Sequence, residues 1–563
     1  MELTSHPVGG RLTTIWEEKR VIIICFVIGF AQFQYGYDAA AVAGFQSMPG
    51  FLRVFGYVDV SRPRKHPNSP SIEKFLIFSS SSDKLLTEAA AKPEIIIGYN
   101  ISTKVQRLIQ SLMNVGGLVA AFGVYAMGPR ASRRIGLWIA CTIGVIAITI
   151  QIASRTTGAL YAGRFLLGLS NGFYLTFSVT YMSEIAPAHL RGSVVGMVTF
   201  HTSLGALFGI LVDNYTNYSL ERRSYQIPLG VMYIIPLFLA TVLVFLPDTP
   251  RFYISHGDHD RAVASIRKTR GITDMTRILA EVSDIQSAWD KEQELHSVAR
   301  ITDMFRGHDL RRTLITFGAS VGQTATGVTF LAGYSVYFYV QARIGTPFVW
   351  VMVSLAIALT GNMAAFPAMR FLNRRPLLIT CSILSSIMMF GMAIAYTKAS
   401  VGSPAAGKAL VGLSIVFTWV YGIGQGPVLW ALTSEIPSQR LRSQTIGIAG
   451  GLNFVFGWLC AFCTPYFINP DALDWGPKYG YIWGASNVIL VVWVYFFVPE
   501  TKSRSLEQLD ELFQKRVPTW KFPAYVTEHQ LVDADKTAVS DPEIARDGKV
   551  GTVHVEDANG VKA

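Results

Sequence analysis

Two charged residues stand inside long apolar runs. Asp38 belongs to a run near 21–44, and Arg164 to one near 158–183. A charge placed at mid-membrane costs several kcal/mol unless it is paired or hydrated. Asp38 lies six residues before Gly44, and Arg164 six residues after Gly158. At 1.5 Å per helical residue, both sit about 9 Å below the outer boundary of their runs. Equal depth permits a salt bridge, which on physical grounds alone is a buried ion pair that fixes helix packing. A second charge pattern occurs twice: Glu184 precedes Arg191 by seven residues, and Glu435 precedes Arg442 by seven. Both copies sit at helix ends. Their chemistry is either that of salt bridges between two halves, closing an inner gate, or that of solvated helix-end charges. No nucleophile–base constellation, metal-ligand cluster or phosphate loop accompanies them, so an enzyme, a cofactor and a metal site are not expected. Cys460 and Cys463 form a CxxC, but no second pair or nearby histidine completes a zinc site, and all five cysteines lie in apolar runs.

The elements that hold these charges follow from composition. The chain has 563 residues, of which only 15% are charged, and its mean hydropathy is +0.34. The formal net charge is +11, but the basic residues fall in short clusters between apolar runs. That is the pattern of cytoplasmic loops rather than of a nucleic-acid-binding surface. Runs long enough to cross a bilayer lie near 21–44, 106–127, 136–154, 158–183, 192–212 and 227–247. A second set lies near 315–338, 347–369, 376–396, 408–432, 445–467 and 480–498. Arg133 and Arg134 follow the second run, Arg374 and Arg375 the eighth, and a basic segment the sixth, which places these loops and the N-terminus on the cytoplasmic side. The expected organisation is a cytoplasmic N-terminus (1–20), a six-helix bundle (21–247) with a long outer loop (48–105), and a cytoplasmic helical linker (248–312). A second bundle (313–498) and a cytoplasmic tail (499–563) complete it. Within the outer loop, 58–94 has a serine run, an alanine run and clustered prolines, and is expected to be disordered and dispensable. The triplets at Asn100, Asn214 and Asn217 fall in loops assigned outside and are candidate glycosylation sites.

The two sets repeat one another. SEIAPAHLRGS (183–193) ends the fourth run and SEIPSQRLRSQ (434–444) the tenth. Arg133-Arg134 matches Arg374-Arg375, and Pro247-Asp248-Thr249 matches Pro499-Glu500-Thr501. Three markers offset by six spans imply a duplicated six-helix unit in parallel orientation. The expected fold is therefore an all-α polytopic membrane protein, with 12 transmembrane helices in two parallel six-helix halves: the major facilitator fold.

At these residues the chain resembles the sugar porter family of the major facilitator superfamily, and looks like its fungal members. The markers are GYD (36–38), GRFLLG (163–168), SEIAPAHLRG, LPDTPR (246–251), GQTATG (322–327), GPVLWALTSEIP (426–437), and PETK leading into SLEQLDELF (505–513). The resemblance covers roughly residues 20–520. It implies a plasma-membrane carrier for a sugar or polyol, often coupled to protons, in which Asp38 takes the proton and releases Arg164. By motif position the candidate substrate residues are Gln323, Trp430 and Asn453, since sugars need amides that donate and accept, and an aromatic face. Thr199, Thr324 and Thr329 stand where the family often carries amides, which suggests a wider or less polar pocket. Each hydroxyl can instead bond back to its own helix. His201, further along the fifth run, faces either the pocket or a neighbouring helix. The family's Asp-Arg-x-Gly-Arg-Arg loop is degenerate in both halves: 129–134 and 370–375 lack the aspartate and the glycine. Two alternatives stay open: a transporter of a non-sugar, such as a quinate-like acid or a secondary metabolite, and a non-transporting sugar sensor. The partners implied are the substrate, protons and the lipid bilayer, for a monomer.

Overall fold

A computed structural model describes residues 18–59, 98–128, 131–187, 190–217, 219, 221–271, 274–298, 300–341, 346–398, 404–469, 471–502, 504 and 506–527. Most of the 58–94 stretch, and the tail beyond 527, lie outside the described residues.

The N-terminal half opens with α1 (Lys19–Phe45), followed by the short α2 (Pro49–Phe55). Strands β1 (Tyr57–Asp59) and β2 (Gly98–Asn100) pair antiparallel, a small addition to the all-helical expectation. Helices α3 (Thr103–Met127), α4 (Arg133–Ala153) and α5 (Thr157–Ile185) begin where Ser102, Ser132 and Thr156 accept a bond from the backbone N–H three residues on. Then come α6 (Arg191–Thr216) and a sixth crossing made of α7 (Arg223–Val231) and α8 (Ile234–Phe245).

The linker folds as α9 (Pro250–Ser255), α10 (His259–Arg270) and α11 (Met275–Val298). Asp258 caps α10, and Gly271 ends it in the left-handed region at φ +70°. Ile254, Ala262, Ile266, Ile278 and Val282 give these helices a small apolar core of their own. Here α10 meets α1, and α11 meets the turn at Gln439–Leu441.

The C-terminal half begins with a broken crossing, α12 (Gly307–Thr324) and α13 (Val328–Gln341). Gly327 sits in the break at φ +92°, and a Cβ there would meet Trp483 at 2.8 Å. Next are α14 (Pro347–Phe371), α15 (Arg374–Lys398) and α16 (Pro404–Val420). A π-turn at Tyr421–Gln425 joins α16 to α17 (Gly426–Glu435), just before Pro427, whose missing N–H interrupts the helical ladder. The last crossings are α18 (Arg442–Ile468) and α19 (Gly480–Phe497), and α20 (Leu506–Gln514) docks beneath this half.

Ten of these crossings, among the described residues, are long and apolar enough to span a membrane. The remaining two positions of the twelve are α5, which carries Arg164 and Asn171, and the broken α12–α13 pair. Polar and interrupted helices of this kind occur at membrane depth where they face protein or a cavity.

Within the N-terminal half, α1 and α6 pack closely because small residues let their backbones approach. A Cβ on Gly36 would lie 1.9 Å from the Thr202 carbonyl oxygen, and one on Gly205 would lie 2.1 Å from that of Phe33. The halves meet along α3–α18, α6–α14 and α1–α13. The first two seams join the second helix of one half to the fifth of the other, in both directions, as a duplicated unit requires.

Candidate functional site

Asp38 on α1 and Arg164 on α5 face one another, both without solvent exposure. Arg164 Nη1 donates to Asp38 Oδ1 at 2.6 Å. The guanidinium is also held by α3: Nε donates to the Ile109 carbonyl at 3.1 Å, and Nη2 lies 3.2 Å from Met113 Sδ. Asn171, seven residues after Arg164 and so two turns along α5, donates Nδ2 to Asp38 Oδ2 at 3.4 Å. Arg164 thus keeps two anchors that do not depend on Asp38.

The candidate substrate residues lie on α6, α12, α13, α17 and α18. Gln323 Nε2 donates to the Gly426 carbonyl at 3.1 Å, and Asn453 Nδ2 donates to that of Ser320 at 2.8 Å. Both amides therefore bridge helices of the C-terminal half. Trp430 is 42% exposed. The hydroxyls of Thr199 and Thr324 bond back to their own helices, at Gly196 O and Val321 O, each at 3.0 Å. Thr329 is half-buried near the start of α13. His201 packs against α1: its ring lies 4.7 Å from that of Phe26 and 5.5 Å from that of Phe30, and Nδ1 sits 2.7 Å from the Met197 carbonyl.

At the inner ends, the Glu184 contacts among the described residues run within the N-terminal half and to the linker. It accepts from Arg133 Nη2 at 2.8 Å and from Thr249 Oγ1, at the start of the linker, at 2.5 Å. Glu435 pairs with Arg374, and Arg374 Nη1 also donates to Thr501 Oγ1 at 3.0 Å. Arg442 lies in the field of Glu435, again within one half, while the Arg191 side chain is outside the described set. The physical reason is proximity: the start of α4 adjoins the end of α5 in one half, and α15 adjoins α17 in the other. Arg134 donates to the Val244 carbonyl at 3.3 Å, and Arg375 to that of Tyr495 at 2.6 Å. The two inner clusters are therefore structural copies.

The outer ends, by contrast, are joined across the halves. Asp471 accepts from Thr103 Oγ1 at 2.5 Å and from Thr103 N at 3.1 Å. Asn469 Nδ2 donates to Thr103 Oγ1 at 3.1 Å and to Gln106 Oε1 at 2.7 Å. Arg107 lies over the rings of Phe462 and Tyr466, at 4.8 and 5.0 Å. Asn100 is part of this closure: it is 2% exposed, and its Oδ1 accepts from Tyr337 at 3.3 Å. Asn217, 5% exposed, donates to Asn214 O at 2.6 Å. A glycan on either amide would have to displace these contacts, so only Asn214, half-buried, is accessible in part.

Sequence reasoning missed several buried polar groups. Asn171 and Gln34 were visible only as amides within apolar runs. Gln34 lies one turn from Asp38 and is 1% exposed, with neither amide atom bonded among the described residues. Asp213 on α6 is buried beside Gly44, with both carboxylate oxygens unbonded among the described residues. Gln425, in the π-turn, is fully bonded: it accepts from Ser385 at 2.8 Å and donates to Ser382 at 3.1 Å and to Asn487 at 2.8 Å.

Residues 24–513 match the family model described as sugar (and other) transporter. The low-affinity glucose transporter HXT4 of Saccharomyces cerevisiae is 25% identical over 93% of this chain and 85% of its own. The high glucose sensor RGT2 of the same organism is 26% identical over 71% of this chain but 53% of its own. Among solved structures, the inward-open xylose transporter XylE of E. coli superposes with a TM-score of 0.67 at 21% identity, covering 87% of this chain and 99% of that one. That likeness establishes the fold.

Proposed function

The chain belongs to the sugar (and other) transporter family, and from that premise we propose that it is a secondary active transporter of the plasma membrane. It moves a sugar or polyol by alternating access, coupled to protons. The observation that carries the coupling is the fully buried Asp38–Arg164 pair. A charge pair held away from water at this depth is costly to keep without a use. Protonation of Asp38 removes its charge while Arg164 stays anchored on Ile109 and Met113, so the pair loosens without leaving either side chain stranded.

Gln323, Trp430 and Asn453 are the proposed sugar-facing residues, with Thr199, Thr324 and Thr329 around them. The inner clusters of Glu184, Arg133 and Arg134, and of Glu435, Arg374, Arg375 and Arg442, hold each half rigid as one rocks against the other. This assigns them a bracing role in gating rather than bonds across the gate.

A second reading, transport of a non-sugar such as a quinate-like acid, is favoured by one observation. The Thr199 and Thr324 hydroxyls donate to their own helices, which leaves each with acceptor lone pairs but no donor to offer a polyol. Radiolabelled uptake into yeast lacking its own hexose carriers decides. Sugars, polyols and acids are compared at acidic and neutral pH, with and without an uncoupler. Sugar accumulation that falls with rising pH and with uncoupler is expected. Uptake of acids alone establishes the second reading, and uptake of no compound by protein at the cell surface fits a sensor.

A further inference from the structure

Asp38 has two carboxyl oxygens, and the ion pair uses one. Arg164 Nη1 takes Oδ1 at 2.6 Å, while Oδ2 faces Asn171 Nδ2 at 3.4 Å. Asn171 is 2% exposed, and its own Oδ1 has no hydrogen-bond partner among the described residues. A buried amide oxygen left unbonded is uncommon, because it forfeits the bond it made to water. The orphan lies beside the oxygen of Asp38 that Arg164 leaves free.

The chemistry of the two groups is complementary. An ionised carboxylate only accepts hydrogen bonds, whereas a protonated one donates through its O–H. A guanidinium only donates. A primary amide carries a donor and an acceptor in nearly the same place, and a half-turn about its last side-chain bond exchanges them. Asn171 can therefore donate to ionised Oδ2 through Nδ2 and, after the half-turn, accept from protonated Oδ2 at its now-orphaned Oδ1. Arg164 serves only the first state.

We propose that Asn171 is a positioning residue for the proton site, holding the free oxygen of Asp38 in both protonation states and so setting the pH at which the carrier loads. This rests on the coupling reading above. The proton arrives from water on the aqueous side and is taken by a lone pair of Asp38 Oδ2. No other covalent bond changes, and the charge of the pair goes from zero to the single positive charge of Arg164. Arg164 on α5 is the charged group that touches Asp38; the elements packed around it also carry Tyr35 and Tyr37 on α1, Tyr161, Tyr174, Tyr181 and Glu184 on α5, His201 and Asp213 on α6, and Tyr334, Tyr337 and Tyr339 on α13, while α8 contributes none. Tyr334 and Tyr337 are committed elsewhere, to Ala461 O and to Asn100.

The test needs no known substrate. The full chain is reconstituted in lipid vesicles, and infrared difference spectra are recorded against pH. The protonated-carboxyl band that Asp38→Asn abolishes belongs to Asp38, and its titration midpoint is compared among variants. Asn171→Leu keeps the shape and removes both bonds. The charge-assisted bond to the ionised form is the stronger of the two, so proton affinity rises roughly three- to tenfold, or about half to one pH unit. Asn171→Asp places a second carboxyl beside Oδ2 and moves the midpoint further upward. Asn171→Gln, which keeps the amide, restores the midpoint toward wild type. A midpoint in Asn171→Leu equal to that of wild type overturns the role of Asn171 and leaves the coupling reading intact. Should that variant not fold, the absence of an upward shift in Asn171→Asp overturns it equally. A wild-type Asp38 that never titrates ends both readings.

Discussion

Asp38 and Arg164 are the residues on which coupled transport depends most directly. Asp38→Asn is expected to abolish accumulation against a gradient while exchange of substrate across the membrane continues, because the amide imitates a permanently protonated acid. Moving one charge through the membrane potential supplies about 2.3 kcal/mol per 100 mV, and a carrier without its acid cannot draw on it. The comparison is net uptake against counterflow, and accumulation by Asp38→Asn at wild-type level would return the pair to a structural role. Arg164→Ala is expected to be worse. It leaves a buried carboxylate with only the long bond from Asn171, and breaking a buried pair from one side costs about 3–5 kcal/mol. Its amount at the cell surface, measured by immunofluorescence, should fall well below that of Asp38→Asn.

Individual helices are held by two devices that single substitutions can probe. The close approach of α1 and α6 leaves no volume at Gly36, where a Cβ would meet the Thr202 carbonyl oxygen at 1.9 Å. Gly36→Val therefore forces the helices apart and is expected to cost at least about 3 kcal/mol. Heating followed by gel filtration in detergent would report this as an earlier loss of the monodisperse peak; an unchanged profile means that α1 and α6 tolerate separation. The tail helix α20 depends instead on Arg312, which is 2% exposed, bonds to the Ile436 carbonyl at 2.6 Å and pairs with Asp510. Burial pushes the Asp510 carboxyl up, and the neighbouring Arg312 pulls it back down. Asp510→Asn removes the carboxylate paired with the guanidinium and leaves it only the field of Asp309. A loss of about 2–3 kcal/mol is expected, less than for a fully buried pair because Asp510 retains 23% exposure. Limited proteolysis should then cut near α20 sooner than in wild type.

At the scale of the whole molecule, the two ends of the bundle are organised differently. The outer ends are tied across the halves by Thr103, Asn469 and Asp471, while the inner pairs Arg133–Glu184 and Arg374–Glu435, among the described residues, each lie within one half. The closure is thus made by hydrogen bonds that must break together for the outer side to open. Asp471→Ala removes two of them. At about 0.5–1.5 kcal/mol each, this moves the balance toward an outward-open form by roughly five- to 150-fold. Hydrogen exchange over the start of α3 should accelerate by a similar factor, since the Thr103 amide loses its acceptor. Exchange at the wild-type rate would show that the seam does not depend on Asp471.

What the sequence determined by itself was whatever leaves a local or periodic trace. Apolar runs of bilayer length marked the crossings, though α5 and the broken α12–α13 pair fall short of the apolarity of the other ten. Matched motifs disclosed the duplication, and the equal depth of Asp38 and Arg164 was readable by counting residues. Contacts between distant segments leave no such trace. Asn469 and Thr103 are 366 positions apart, and neither belongs to a repeated motif. The equal Glu–Arg spacing in the two halves suggested bonds between them. In the fold, Glu184 meets Arg133, 51 positions earlier, because α4 and α5 share an end. Composition likewise could not show whether a threonine hydroxyl would turn to its own helix or to a cavity. Nor could it show that the second oxygen of Asp38 would find Asn171, two turns from the arginine that takes the first. Those choices are made by packing, where each polar group settles on a partner that the neighbouring helices bring within hydrogen-bonding reach.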